Sequence, residues 1–117
     1  MKSSEVLEKA LELLGPNGEH WTVGTSYRDE HGDAIYREDP KRELFASCCV
    51  SAAIVRSEAP KNRHYSRSRA WKLFEQVIGS KDVPEWNDAP ERSWPEVRAA
   101  FLKAIELAKS EESSVTR

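Results

Sequence analysis

Leu44-Phe45-Ala46-Ser47-Cys48-Cys49-Val50-Ser51-Ala52-Ala53-Ile54-Val55 is apolar or small on every side, with Ser47 and Ser51 as its only polar interruptions. A helix without a polar face is one that other elements enclose. Upstream, Asp39-Pro40 reads as a cap and first helical residue, because a first turn leaves the missing proline N–H unpaired anyway. The run therefore predicts a central buried helix from Pro40 to about Arg56.

The flanking segments supply what would wrap it. Val6, Leu7, Ala10, Leu11, Leu13 and Leu14 fall at helical spacing and predict a first helix from Ser4 to Leu14, stopped by Gly15-Pro16. Between it and the central run, Trp21, Val23, Thr25 and Tyr27 alternate with His20, Thr22, Gly24 and Ser26, the period of a half-buried strand. Asp29-Glu30-His31-Gly32-Asp33 is turn chemistry, and Ala34 to Arg37 would return as the second strand of a β-hairpin. After a loop over Ser57 to Tyr65, Trp71, Phe74, Val77 and Ile78 predict a third helix from Ser66 to Ile78. A second loop runs from Ser80 to Arg92. Ser93-Trp94-Pro95-Glu96 then reads as a capping box opening a last helix, with Val97, Phe101, Ala104, Ile105 and Ala108 as its stripe. The expected fold is α+β and mostly α: four helices around a central buried helix, with one β-hairpin between the first and second helices. It forms a single domain over residues 1–110, followed by a disordered tail over 111–117.

Length and composition fit that plan. A chain of 117 residues makes one domain. With 38% hydrophobic and 32% charged residues the core is small, so the four Trp, three Phe and three Tyr must supply much of it. A net charge of −2 gives no global attraction to nucleic acid or anionic lipid. No stretch approaches a membrane span, and Met1 to Glu5 lack the apolar run of a signal peptide. Cys48 and Cys49 are adjacent and point apart on a helix, which suits a reducing compartment. These features predict a cytoplasmic protein.

Trp21-Thr22, Asp29 with Gly32, Cys49 with Ala53, and the run Trp86-Asn87-Asp88-Ala89-Pro90-Glu91-Arg92 stand in the order of a recognisable pattern. The chain resembles a family of small, uncharacterised bacterial and phage proteins. These share an early Trp-Thr, an Asp-x-x-Gly turn, a Trp-Cys-x-x-Gly-Ala helix and a late Trp-Asn-Asp-x-Pro-x-Arg. It departs from the pattern at Cys48, where the family has Trp, and at Ala52, where it has Gly. The resemblance implies the fold and carries no activity.

Three places invite chemistry. Trp21, Trp86, Asn87, Asp88 and Arg92 would form a ligand or partner site, since binding residues concentrate on loops held by rigid elements. The structural alternative is that Trp86 fills a core gap while Asn87 and Asp88 bond nearby backbone. Cys48 and Cys49 fall in mid-helix among apolar residues, which favours inert packing over a nucleophile. Finally, Arg56, Lys61, Arg63, Arg67, Arg69 and Lys72 face only Glu58, a local charge of +5 with His64, Tyr65 and Trp71 interleaved. Lys61, Arg63, His64, Arg67 and Arg69 would then bind phosphate or nucleic acid; the alternative is a solvated face. His20, His31 and His64 are scattered, with no metal-ligand spacing, and there is no Gly-rich cofactor loop. No metal, cofactor or catalytic residue is therefore expected. The functional expectation is a small non-enzymatic interaction or regulatory protein whose partner is another protein. The alternative is nucleic-acid or phosphate binding through Arg56 to Lys72, and a hydrolase-like enzyme is a third reading.

Overall fold

In a computed structural model, residues 2–36, 39, 44–58 and 68–115 are described. They form α1 (Ser3–Leu14), β1 (Tyr27–Arg28), β2 (Ser47–Cys48), α2 (Val50–Glu58), α3 (Arg69–Ile78), α4 (Val83–Asn87) and α5 (Trp94–Val115). The fold is α+β and mostly α, with one two-stranded antiparallel hairpin between α1 and α2.

The apolar run divides differently from the expectation. Ser47 and Cys48 pair with Arg28 and Tyr27 as β2, and the helix begins at Val50 instead of Pro40. Residues 40–43 lie outside the described part. Of the return expected over Ala34 to Arg37, Ala34 bridges Arg28 and the Ile35 amide donates to the Tyr27 carbonyl, Arg37 lies outside the described residues, and Ser47–Cys48 supplies the second strand. Trp21 to Ser26 do not run as a strand: Trp21 bridges Cys48, and the chain bends before Tyr27. The turn chemistry holds. Asp29 Oδ1 accepts from the amides of His31 and Asp33, and Gly32 takes the positive φ of 83° that closes the turn.

α2 is as enclosed as its composition requires, with Val50, Ser51, Ala52, Ala53, Ile54 and Ser57 all buried. It packs on α1, which also meets α5, and α5 meets α3. The centre holds Leu7, Leu14, Ile54, Leu73, Phe74, Val97 and Phe101, each essentially without solvent contact. Phe74 stacks at 4.7 Å on Phe101 and meets Trp86 edge-on at 5.7 Å. Each such ring contributes roughly 2–3 kcal/mol of burial, so the shared centre of α3, α4 and α5 stabilises the molecule strongly.

The helix ends explain the boundaries. Ser68 caps α3, accepting from the Trp71 amide, and Gly79 ends it in the left-handed conformation. α1 begins at Ser3, with Lys2 at the N-cap position. The amide and hydroxyl of Ser4 donate to Glu112, on α5. α5 therefore continues as helix through Val115, where the sequence suggests a tail from residue 111. Asp82, accepting from the Glu85 amide, opens the short helix α4 inside what reads as a loop.

Candidate functional site

The Trp86-Asn87-Asp88 triplet ends α4, and its middle residue organises the neighbourhood. Asn87 is fully buried. Its Oδ1 accepts from the Trp21 indole nitrogen at 2.8 Å and from the Val50 amide at 3.0 Å. Its Nδ2 donates to the Thr22 carbonyl at 3.1 Å and to Asp88 Oδ1 at 2.8 Å. Both donors and both acceptor positions of the carboxamide are thus used. One side chain ties the loop after α1, the first amide of α2 and the end of α4 together. Such a group is expensive to remove, because the Val50 amide would stay buried and unpaired, and the part-buried Trp21 indole and Thr22 carbonyl would lose their partner as well.

Asp88 extends the clamp: its Oδ1 also accepts from the Gly24 amide at 2.9 Å. Arg92 closes it from outside. Its Nε donates to the Trp86 carbonyl at 2.8 Å, its Nη1 meets Glu96 at 2.8 Å, and its guanidinium lies 4.1 Å from the Trp86 ring centre. A pairing of Asp88 with Arg92 is natural from the sequence; the salt bridge is to Glu96. Glu96 also accepts from the Ser93 amide and hydroxyl, so Arg92 and the start of α5 share one carboxylate. That Ser93 amide, with the arginine behind it, holds the Glu96 carboxyl below the usual carboxylate range.

Outside this clamp lies an open groove of about 590 Å³, lined by Ser80, Glu85, Trp86, Asp88, Ala89, Pro90 and Arg92. Trp86, Ala89 and Pro90 form its apolar wall, and Glu85 and Asp88 stand exposed on its rim. Trp21 is set inward, its ring 6.1 Å from Trp94. Of the five residues expected here, Asn87 and Trp21 build the support, while Trp86, Asp88 and Arg92 both build it and face the groove. Thr22, Gly24 and Val50 complete the network and are not apparent from the sequence, whereas Glu96 is legible there as the acidic end of the Ser93 capping box. The first three enter through backbone groups alone, the Gly24 and Val50 amides and the Thr22 carbonyl, which residue type does not mark.

The cysteines are placed differently from the mid-helix expectation. Cys48 lies in β2, and Cys49 immediately precedes α2, its sulfur accepting from the Ala52 amide at 3.5 Å. A helix N-terminus lowers a thiol's pKa, whereas burial raises it. Burial wins here. It pushes Cys48 up to about 12, aided by Cys49, and it raises Cys49 against the opposing amides of α2. Both thiols are free and buried.

Of the basic stretch, Lys61, Arg63, His64 and Arg67 lie outside the described residues. Arg69 pairs with Glu111 through Nε and Nη2, which offsets its unfavourable place at the positive end of α3. Arg56 donates to the Tyr27 hydroxyl at 3.1 Å and lies over the Tyr27 and Phe45 rings. Among the described residues no group of three His, Cys, Asp or Glu side chains is placed to hold a metal ion. Among them, too, no helix is long and apolar enough to cross a membrane.

Fold and clamp together define a small, mostly helical α+β domain built around a buried Trp-Asn-Asp junction. The chain belongs to the family of unknown function DUF6197, whose pattern matches residues 1–107. No curated protein and no solved structure matches it.

Proposed function

We propose that this chain is a small, non-enzymatic cytosolic protein that works by binding another protein, with the groove beside α4 as its docking face. The observation that carries the reading is the groove itself: an aromatic and proline wall on a rigid support whose polar groups are already spent inside the chain. A carboxamide with all four positions filled anchors a surface and has nothing left to offer a reaction. Asp88, on the rim, accepts from the Gly24 amide, and Val23, the preceding residue, is 41% exposed. Tyr36 and Leu44 are further apolar side chains left exposed, at 77% and 83%.

In-cell photo-crosslinking tests this. A benzophenone side chain at Glu85, on the rim, should give discrete protein adducts that survive nuclease. The same group at Lys103, exposed on α5, should not. Equal labelling at both positions, or adducts that vanish with nuclease, contradicts protein docking at the groove. The nuclease-sensitive result would instead favour nucleic-acid binding.

A further inference from the structure

The groove beside α4 also carries information about its occupant. Between Ser80 and Glu96 five carboxylates face two cations, Lys81 and Arg92. Among the described residues Arg92 is the one cation lining the groove, and its charge is already met by Glu96 at 2.8 Å. On the rim, exposed Asp88 accepts from Gly24 and Asn87 through Oδ1 alone, and Oδ2 makes no hydrogen bond among the described residues. The Glu85 side chain makes no hydrogen bond or ion pair among the described residues, while its backbone amide donates to Asp82. The wall between these carboxylates is Trp86, Ala89 and Pro90. Arg92 already covers one face of the indole, so an incoming cation gains from the carboxylates and its stem gains from the wall.

From this complementarity we infer that the occupant is a lysine- or arginine-bearing segment of the partner protein, its aliphatic stem laid along Trp86, Ala89 and Pro90 and its charge between Glu85 and Asp88. The inference rests on the docking reading above and specifies its chemistry. Electrostatics of exposed pairs are weak singly and screened by salt, so they set selectivity while the apolar wall supplies contact area.

The test is an amide-resonance titration of the full chain with hexalysine and hexa-arginine peptides at low salt, with hexaglutamate and spermine as comparisons. The basic peptides should shift the amides of Ser80, Glu85, Trp86, Asp88 and Ala89. Glu85→Gln and Asp88→Asn, which keep the shapes and the Gly24 contact, should each weaken binding about two- to fivefold. An unchanged Trp21 indole resonance would show that the clamp is intact in both variants. Equal affinity in the variants, equal shifts from spermine, or binding of hexaglutamate would overturn the inference. Crosslinks at Glu85 in cells without any peptide effect would leave protein docking standing and remove the basic occupant. Loss of both results would remove both.

Discussion

The indole nitrogen of Trp21 donates to the carboxamide oxygen of Asn87 across 66 residues of chain, at 2.8 Å. The same oxygen receives the first amide of α2 at 3.0 Å, so a helix start and a loop tryptophan share one acceptor. A groove built over this junction keeps its shape because the support beneath it cannot relax without exposing buried donors.

Replacing Asn87 with Ala strands the Trp21 indole, the Val50 amide and the Thr22 carbonyl together. A loss of about 2–4 kcal/mol is expected in urea unfolding at pH 7. Asn87→Asp keeps the acceptor but sets a second carboxylate beside Asp88 and loses the donor to Thr22, so it should also destabilise, and more so once the new carboxyl ionises. A change under about 0.5 kcal/mol in Asn87→Ala would show that the junction is ornamental.

Gly18 is irreplaceable for a different reason. Its φ is +71°, and a Cβ there would lie 2.4 Å from the Trp94 ring, which rests on that turn and donates to the Pro16 carbonyl. Gly18→Ala should cost about 1–3 kcal/mol in thermal or chemical unfolding. Gly32 shares a positive φ of 83° with nothing within 4 Å, so Gly32→Asn should cost well under half of that.

The buried thiols predict an alkaline limit. Their folded pKa values are raised, Cys48 to about 12 from an ordinary 9.0. The neutral form is thus favoured by folding, and its contribution is fully present below pH 9. It falls as pH rises from there toward 12, by up to about 1.4 kcal/mol per pH unit for each thiol. Tyr27, raised mainly by burial, adds to the same trend. Unfolding curves between pH 8 and 11 should show this fall, reduced in Cys48→Ala relative to its own stability at pH 8. At pH 8 both thiols should react with a water-soluble disulfide reagent only as fast as the protein opens.

The far end of α5 stabilises the near end of α1. The Ser4 hydroxyl, followed in effect by the Ser4 amide, holds the Glu112 carboxyl below its ordinary value near 4.5. The lowered value means that the contribution is present above pH 4.5 and lost as pH falls through the folded value. Glu112→Ala should lower stability at pH 7 by about 1 kcal/mol, the scale of a helix cap, with the difference from the parent chain shrinking in acid.

The sequence discloses the helices with one-sided stripes almost completely. α3 opens on the Ser68 cap and α5 follows Ser93, whose amide and hydroxyl donate to Glu96, and their apolar residues recur every three or four positions. It misplaces the start of α2 because a run apolar on all sides carries no period, and Ser47-Cys48 reads equally well as buried helix or buried strand. The helix end near residue 110 is misjudged for a related reason: what holds Glu111 and Glu112 is Arg69 and Ser4, far away in sequence. At the junction, the Trp86-Asn87-Asp88 triplet stands out by composition alone. Its partners do not, since Thr22, Gly24 and Val50 contribute only backbone groups, which leave no trace in residue type.

The most direct measurement is hydrogen exchange at the Trp21 indole proton, compared with that of Trp94, whose indole bonds the exposed Pro16 carbonyl at 3.4 Å. With Asn87 as the clamp under the groove, the Trp21 proton should exchange only through opening of the whole domain, matching the slowest core amides of α2. It should lose that protection in Asn87→Ala. Exchange at Trp21 as fast as at Trp94 in the intact protein would contradict the clamp, and the rigid docking face built on it would go with it.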